Sequence, residues 1–95
     1  MPTNADLGRA VRRLRQARRL SIEALASKAE MHPTYLSGIE RGVRNPTWAI
    51  VCGLASALDV SVSSVTQDAE DEATVAQAVK DTRARIEAER GLSAG

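Results

Sequence analysis

Side chains able to recognise an anionic ligand are concentrated between residues 34 and 45 of the chain. Thr34 and Ser37 carry hydroxyl groups that donate or accept hydrogen bonds, as recognition of a polar base edge requires. Arg41, Arg44 and Asn45 follow them and carry groups that donate to anionic oxygens such as those of a phosphate. The pattern therefore indicates binding of a polyanion, and the alternative for each residue is a solvated surface position.

The sequence offers no comparable set of residues for catalysis. His32 is the only histidine. It precedes Pro33 and has no acidic or cysteine partner nearby, so we expect it to cap a helix. Cys52 is the only cysteine; it makes neither a disulfide nor a zinc site, and we expect it to be buried and inert. We therefore predict no enzyme activity, catalytic residue, cofactor or metal.

Charge is distributed unevenly along the chain. Residues 1–45 hold nine basic and four acidic side chains, whereas residues 46–95 hold four basic and eight acidic ones. A basic half followed by an acidic half is typical of a polyanion-binding domain with a solvated tail. Four arginines are expected to form a solvated face that attracts a polyanion at long range: Arg12, Arg13, Arg18 and Arg19.

Hydropathy and composition exclude several other classes of protein. No run of about 18 apolar residues is present to span a membrane, and the N-terminus does not resemble a secretory signal. Tyr35 and Trp48 are the only aromatic residues, and we expect Trp48 in the core, which argues against RNA binding by base stacking. We expect a cytoplasmic protein associated with the nucleoid.

Helical periodicity is the only regular pattern, and it predicts an all-α fold. Ser21, Thr47 and Ser61 are typical N-cap residues, while Pro33 and Gly42 are suited to begin and end a helix. The predicted helices cover about 5–18 (after Thr3 or Asn4), a short stretch after Ser21, 33–41, 48–58 and 61–66.

The segment 68–90 differs from the rest because it is rich in alanine and charged residues and has no glycine or proline. It is predicted to form a separate helix capped by Asp68, with acidic residues early and basic residues late, as the helix dipole favours. A narrow apolar stripe lies along one side: Val75, Ala76, Val79 and Ile86. The stripe is either a dimer seam or a strip that packs on the bundle, and the heptads are too few for a long coiled coil.

Two short helices separated by a three-residue turn form the most specific local pattern. Ala26 is small where the helices would approach each other, Met31 would fill the junction, and Leu36 and Ile39 would anchor the second helix. This is the helix-turn-helix arrangement of DNA-binding proteins. It leaves the outward positions of the second helix free: Pro33, Thr34, Ser37, Gly38 and Arg41.

The segment from about Leu7 to Val65 resembles the phage-repressor family of helix-turn-helix regulators, which is also called the Cro/C1-type or xenobiotic-response-element family. The most specific part is HPTYLSGIERG, residues 32–42, followed by Arg44-Asn45-Pro46. The same phrase resembles the controller proteins of restriction–modification systems. The resemblance implies a compact five-helix, lambda-repressor-like domain over residues 1–66, and residues 67–95 lie outside it.

The resemblance also implies which residues contact DNA. Base edges would be met by Pro33, Thr34, Ser37 and Gly38. Phosphates would be met by the start of the second helix, including Ser21 and Glu23, and by the loop that includes Arg41, Arg44 and Asn45. Tyr35 would either bond a phosphate or pack over the junction, and Arg15 would form a structural ion pair with Glu40.

Three features depart from the family pattern. Glu30 stands where a glycine is usual, and a left-handed backbone there would cost about 1 kcal/mol relative to glycine. Ile22 replaces a glutamine that often bonds phosphate. Pro33 and Gly38 have no polar side chain, so base readout would rest on Thr34 and Ser37, supported by DNA shape.

The sequence thus predicts a sequence-specific transcription regulator of double-stranded DNA. The resemblance implies a homodimer on a palindromic operator, with helix 33–41 of each copy in successive major grooves about 34 Å apart. The alternative is an antitoxin or adaptor whose C-terminal helix, 68–90, binds a partner protein while the N-terminal domain holds the complex on DNA.

Overall fold

The computed structural model describes residues 1–94, which contain five α-helices and no strand. The helices are α1 (Asn4–Ala17), α2 (Ile22–Lys28), α3 (Pro33–Glu40), α4 (Trp48–Ala57) and α5 (Val62–Ala94). The all-α prediction is confirmed. Thr3, Ser21, His32 and Thr47 cap the first four helices, each accepting a hydrogen bond from a first-turn backbone N–H.

The first four helices end in the same way, with one residue in the left-handed conformation. These residues are Arg19, Glu30, Gly42 and Asp59, with φ of 56°, 55°, 77° and 56°. In each case the next residue donates its N–H to a carbonyl in the last helical turn, which is the Schellman arrangement. Glu30 does take the conformation that favours glycine. The apolar side chain that follows it, Met31, packs against the core and offsets part of that cost.

The core forms where α1 to α4 meet. Its central buried residues are Val11, Leu25, Ala26, Leu36, Ile39, Leu54 and Leu58. Gly8 permits α1 to lie directly against α3, because a Cβ atom on Gly8 would be 2.3 Å from the carbonyl oxygen of Ile39. Ala26, Leu36 and Ile39 thus occupy the buried positions that their spacing predicted.

The prediction of two separate helices after Ser61 is wrong. Ser61 caps a helix through its hydroxyl, which accepts from the N–H of Ser64 at 3.1 Å, but that helix continues without a break to Ala94. Asp68 therefore lies inside α5 and is not a cap. The reason is local: no glycine or proline interrupts residues 62–90, and alanine-rich charged sequence favours continued helix.

α5 divides the molecule into two regions. Its first part packs along α1 and buries Val65 and Ala69, whereas every residue from 74 to 91 is exposed. We call residues 1–73 the head and residues 74–91 the arm. The arm accounts for the elongated shape of the molecule, which measures 57 × 24 × 24 Å.

Two predictions about burial in α4 are wrong. Trp48 is 67% exposed and does not belong to the core, and Cys52 is half-buried. Trp48 shares a face with buried Val51, but it stands at the first position of α4, where no other element covers that face. Periodicity identifies the face of a helix, whereas the tertiary structure decides how far along it the neighbours extend.

No single helix in the described part of the chain is long and apolar enough to cross a membrane. α4 together with residues 62–91 of α5, bent by 102°, does have the required length and composition.

Candidate nucleic-acid interface

α3 presents one face to the core and the opposite face to the surface. Leu36, Ile39 and Glu40 are buried, whereas Thr34 is exposed and Ser37 is half-exposed. α3 has only eight residues, and an isolated helix of that length is unstable in water. Its conformation therefore depends on contacts with the rest of the head.

The start of α3 is fixed by His32 and Pro33. The Nδ1 atom of His32 accepts a hydrogen bond from the backbone N–H of Thr34 at 3.0 Å, which is the capping role expected from the sequence. Pro33 occupies the first helical position, where its missing N–H costs nothing. Thr34 is thereby held in the first turn with its side chain exposed.

A partly buried ion pair joins α3 to α1. Arg15 donates from Nε to Glu40 Oε2 at 2.8 Å and from Nη2 to Glu40 Oε1 at 3.0 Å. A third bond runs from Arg15 Nη1 to the carbonyl oxygen of Leu20 at 2.9 Å. The two side chains are 12% and 5% exposed, and hydrogen bonding to Glu40 raises the pKa of Arg15. The pair fixes the rotation of α3 and hence the direction of its exposed face.

Gly38 and Arg44 are packed against each other. The carbonyl oxygen of Gly38 accepts from the N–H groups of Val43 at 3.0 Å and Arg44 at 3.2 Å. A Cβ atom on Gly38 would be 2.5 Å from Cγ of Arg44. Gly38 is buried although it belongs to the outward face of α3, because the Arg44 side chain covers it. The sequence did not predict this contact.

The other residues predicted to contact DNA lie on or beside the outward face of α3. Arg41 is exposed and donates from Nε to the carbonyl oxygen of Ser37 at 3.4 Å. Asn45 is exposed in the loop that follows, and Pro33 is half-buried. Tyr35 is half-buried and packs against the core, which is one of the two positions expected for it.

The start of α2 brings Ser21 and Glu23 to the surface. The Ser21 hydroxyl accepts from the N–H of Ala24 at 3.0 Å, so it acts as the N-cap. Glu23 is exposed in the first turn, where its charge suits the helix dipole. A carboxylate would repel a phosphate, so only the backbone N–H of Glu23 is suited to such a contact.

The arginines of α1 do not all form a free basic face. Arg13 lies 3.6 Å from Asp68 Oδ2 and 3.4 Å from Glu72 Oε1, and Arg9 lies 3.5 Å from Glu72 Oε2. The expectation that Arg13 is solvated without a specific partner is therefore wrong, because α5 packs along α1 and brings Asp68 and Glu72 next to it. Arg12, Arg18 and Arg19 are exposed.

No group of three or more His, Cys, Asp or Glu side chains is arranged in residues 1–94 to hold a metal ion.

Comparison with known families identifies the class of protein that this geometry defines. A helix-turn-helix domain family matches residues 6–66. The chain therefore belongs to the helix-turn-helix proteins, and within them to the Cro/C1-type family of DNA-binding transcription regulators. The immunity repressor protein of Bacillus phage phi105 is 27% identical over 99 residues, covering 92% of this chain and 69% of that protein.

Three solved structures of regulators are similar to this chain. The restriction–modification controller protein C.AhdI from Aeromonas hydrophila is 35% identical with a TM-score of 0.65, over 65% of this chain and 94% of that one. The clp gene regulator ClgR from Corynebacterium glutamicum is 29% identical with a TM-score of 0.78, over 87% of each chain. The controller protein C.Esp1396I, in a tetramer with its natural 35 base-pair operator, is 28% identical with a TM-score of 0.68, over 73% of this chain and 91% of that one. The predicted resemblance to phage repressors and controller proteins is confirmed.

Proposed function

We propose that the chain is a cytoplasmic regulator that binds specific sequences in double-stranded DNA as a homodimer, with α3 in the major groove. The exposed face of α3, whose direction is fixed by the ion pair of Arg15 with Glu40, is the observation that carries the proposal. The major groove is about 12 Å wide and admits an α-helix. The similar protein C.Esp1396I forms a tetramer in complex with its natural 35 base-pair operator, which supports DNA binding by this chain.

The exposed side chains divide by chemistry into base readers and phosphate contacts. Thr34 and Ser37 lie on the outward face and have hydroxyl groups suited to base edges. Arg41 and Asn45, at the end of α3 and in the loop, are placed to bond phosphates on one side of the groove. Ser21 and the backbone N–H of Glu23 would meet the phosphates on the other side.

The arm supplies the surface that we assign to dimerisation. Val75, Val79 and Ile86, three residues of the predicted stripe, are 59%, 54% and 45% exposed, and with Ala78 and Thr82 they form one stripe bordered by charged side chains. The sequence placed Ala76 in this stripe, but Ala76 lines a different cavity, with Thr3 and Asp6. Because an operator with two half-sites needs two α3 helices, a second copy of the chain is the occupant we propose. If two arms pair through their apolar stripes, each stripe is covered by the other and the two heads are held together.

Selection of bound sites from random duplex DNA tests the DNA-binding proposal. Wild type is expected to select two similar half-sites about one helical turn apart, with affinity that falls steeply as salt increases. Thr34→Ala combined with Ser37→Ala should relax the selected sequence, whereas Ser56→Ala, which removes an exposed hydroxyl from α4, should not. Equal binding of wild type to all duplexes would contradict the proposal.

Sedimentation of stripe variants tests the dimer separately. Val79→Asp with Ile86→Asp is expected to give monomers, whereas Ala84→Asp with Ala88→Asp, on the opposite side of the arm, should remain dimeric. A wild-type chain that stays monomeric, while its stripe is needed to retain another protein, would instead support the antitoxin or adaptor function.

A further inference from the structure

We infer that Arg44 is a specificity-determining residue that Gly38 presents on the outward face of α3, where its guanidinium reads a guanine. The inference rests on the proposed function and gives that interface a third base reader besides Thr34 and Ser37. It differs from the expectation that Arg44 contacts a phosphate.

The position of Arg44 follows from the helical geometry of α3. Residues four apart lie above one another on one helix face, so position 38 continues the exposed face that begins at Thr34. A Cβ atom on Gly38 would be 3.6 Å from Cβ, 2.5 Å from Cγ and 3.5 Å from Nε of Arg44. The Arg44 side chain therefore lies across the glycine and fills the position that a side chain of residue 38 would occupy.

The loop that carries Arg44 is held in place from two sides. Its backbone is bonded to α3, since Val43 and Arg44 both donate to the carbonyl oxygen of Gly38. Before it, Gly42 has a φ of 77° and lies so close to α1 that a Cβ atom would be 2.8 Å from Cα of Ala5. Arg44 is thus positioned before DNA arrives, which lowers the entropy lost when it binds.

The chemistry of arginine suits base readout at this position. Its planar guanidinium donates two parallel hydrogen bonds to O6 and N7 of guanine in the major groove. In the described part of the chain no carboxylate lies within ion-pair distance of Arg44, and the residue is exposed. Thr34 and Ser37 have short side chains, whereas the longer side chain of Arg44 can extend further from this face toward a base edge.

Two variants remove the readout by different routes. Arg44→Lys keeps the charge but loses the bidentate geometry, and Gly38→Ala keeps Arg44 but places a methyl group where its side chain lies. Both are to be compared with wild type by site selection from random duplex DNA. Their affinities for the wild-type operator, and for operators changed at each guanine, complete the comparison. Gly53→Ala, where a Cβ atom meets nothing within 4 Å, is the matched control for the glycine change.

Arg44→Lys and Gly38→Ala are expected to lose the preference for the same guanine in each half-site by roughly tenfold to a hundredfold. The salt dependence of binding should change little in both. Far-ultraviolet circular dichroism checks that Gly38→Ala folds. If Gly38→Ala does not fold, the sites selected by Arg44→Lys alone test whether Arg44 reads a guanine.

Two outcomes would overturn the inference. If wild type selects an operator that Arg44→Lys selects equally well, Arg44 contacts phosphate only and the inference fails while the proposed function stands. If wild type selects no sequence, the proposed function fails and the inference falls with it.

Discussion

The head and the arm are both helical, but different interactions hold them. In the head, helices of 7 to 14 residues are fixed by caps, buried apolar side chains and one partly buried ion pair. In the arm no residue is buried. Its alanine, glutamate, arginine and glutamine residues favour helix by themselves. The comparison indicates that the exposed face of α3 depends on contacts distant in sequence, whereas the arm depends on local preference and leaves an apolar stripe uncovered.

The largest effect is expected at the ion pair of the head. Arg15→Ala or Glu40→Ala leaves an uncompensated buried charge and should lower the free energy of unfolding by about 3 kcal/mol or more, measured by urea denaturation. The double variant Arg15→Met with Glu40→Leu should be more stable than either single variant, because no charge remains unpaired. Exposed Arg12→Ala is the control, and an equal loss for Arg12→Ala and Arg15→Ala would contradict a structural role of the pair.

The next largest loss of stability is expected where α1 lies close to α3. Gly8→Ala would place Cβ 2.3 Å from the Ile39 carbonyl oxygen and should destabilise the head by about 2 kcal/mol. Gly53→Ala, also within a helix but with open space around it, should stabilise by about 0.5 kcal/mol or more. Thermal unfolding of both variants measures the difference, and effects of the same sign would refute this account of Gly8.

At the end of α2, the substitution Glu30→Gly should raise the free energy of unfolding by about 1 kcal/mol. Glu30 has a φ of 55°, so Glu30→Gly relieves the cost of a left-handed side-chain-bearing residue. Chemical denaturation should show a higher midpoint. An unchanged or lower midpoint would mean that the Glu30 side chain contributes more in the folded state than its exposed position indicates.

A pH-dependent effect is expected at the start of α1. The backbone N–H of Thr3 donates to Asp6 at 2.8 Å. Together with the Thr3 hydroxyl and Arg9 it lowers the pKa of Asp6 below its ordinary value, against the opposing effect of burial. Because the folded pKa is the lower one, this stabilisation is present above about pH 4 and is lost as the pH falls through the folded value.

Thermal unfolding between about pH 5 and pH 2 measures this contribution. Asp6→Asn should weaken the loss of stability in that range. Thr3→Ala should keep most of the pH dependence, since its backbone N–H remains, while losing about 1 kcal/mol of capping energy. The assignment to Asp6 fails if the Asn variant loses stability with acid as steeply as wild type.

The smallest effect is expected in the arm. Gln77→Ala removes one exposed bond, from Nε2 to Asp81 Oδ1 at 2.9 Å, and should change stability by about 0.3 kcal/mol or less. A loss above 1 kcal/mol at high protein concentration would show that this side of the arm is buried in an assembly, and the contrast between the two regions would then need revision.

Much of the head could be predicted from local signals in the sequence. Ser21, His32 and Thr47 mark helix starts because their side chains bond the free N–H groups of a first turn. Leu36 and Ile39 mark the buried face of α3 because apolar residues three apart share a helix face. These interactions join residues that are close in sequence, so they can be predicted without knowledge of the fold.

Tertiary structure decided which residues are covered, paired or brought into contact by segments distant in sequence. Trp48 lies on the apolar face of its helix and is nevertheless exposed, because no neighbour covers that end. Arg13 is paired because α5 continues and folds back along α1. The position of Arg44 over Gly38 depends on the path of the loop after α3.

The sequence by itself determined the helix-turn-helix, its caps and its family, because short-range hydrogen bonds and apolar periodicity are written in neighbouring residues. Only the three-dimensional arrangement decided which charges remain free, how far the last helix runs beyond its neighbours, and which side chain covers Gly38 on the outward face of α3. Those outcomes depend on contacts between distant segments.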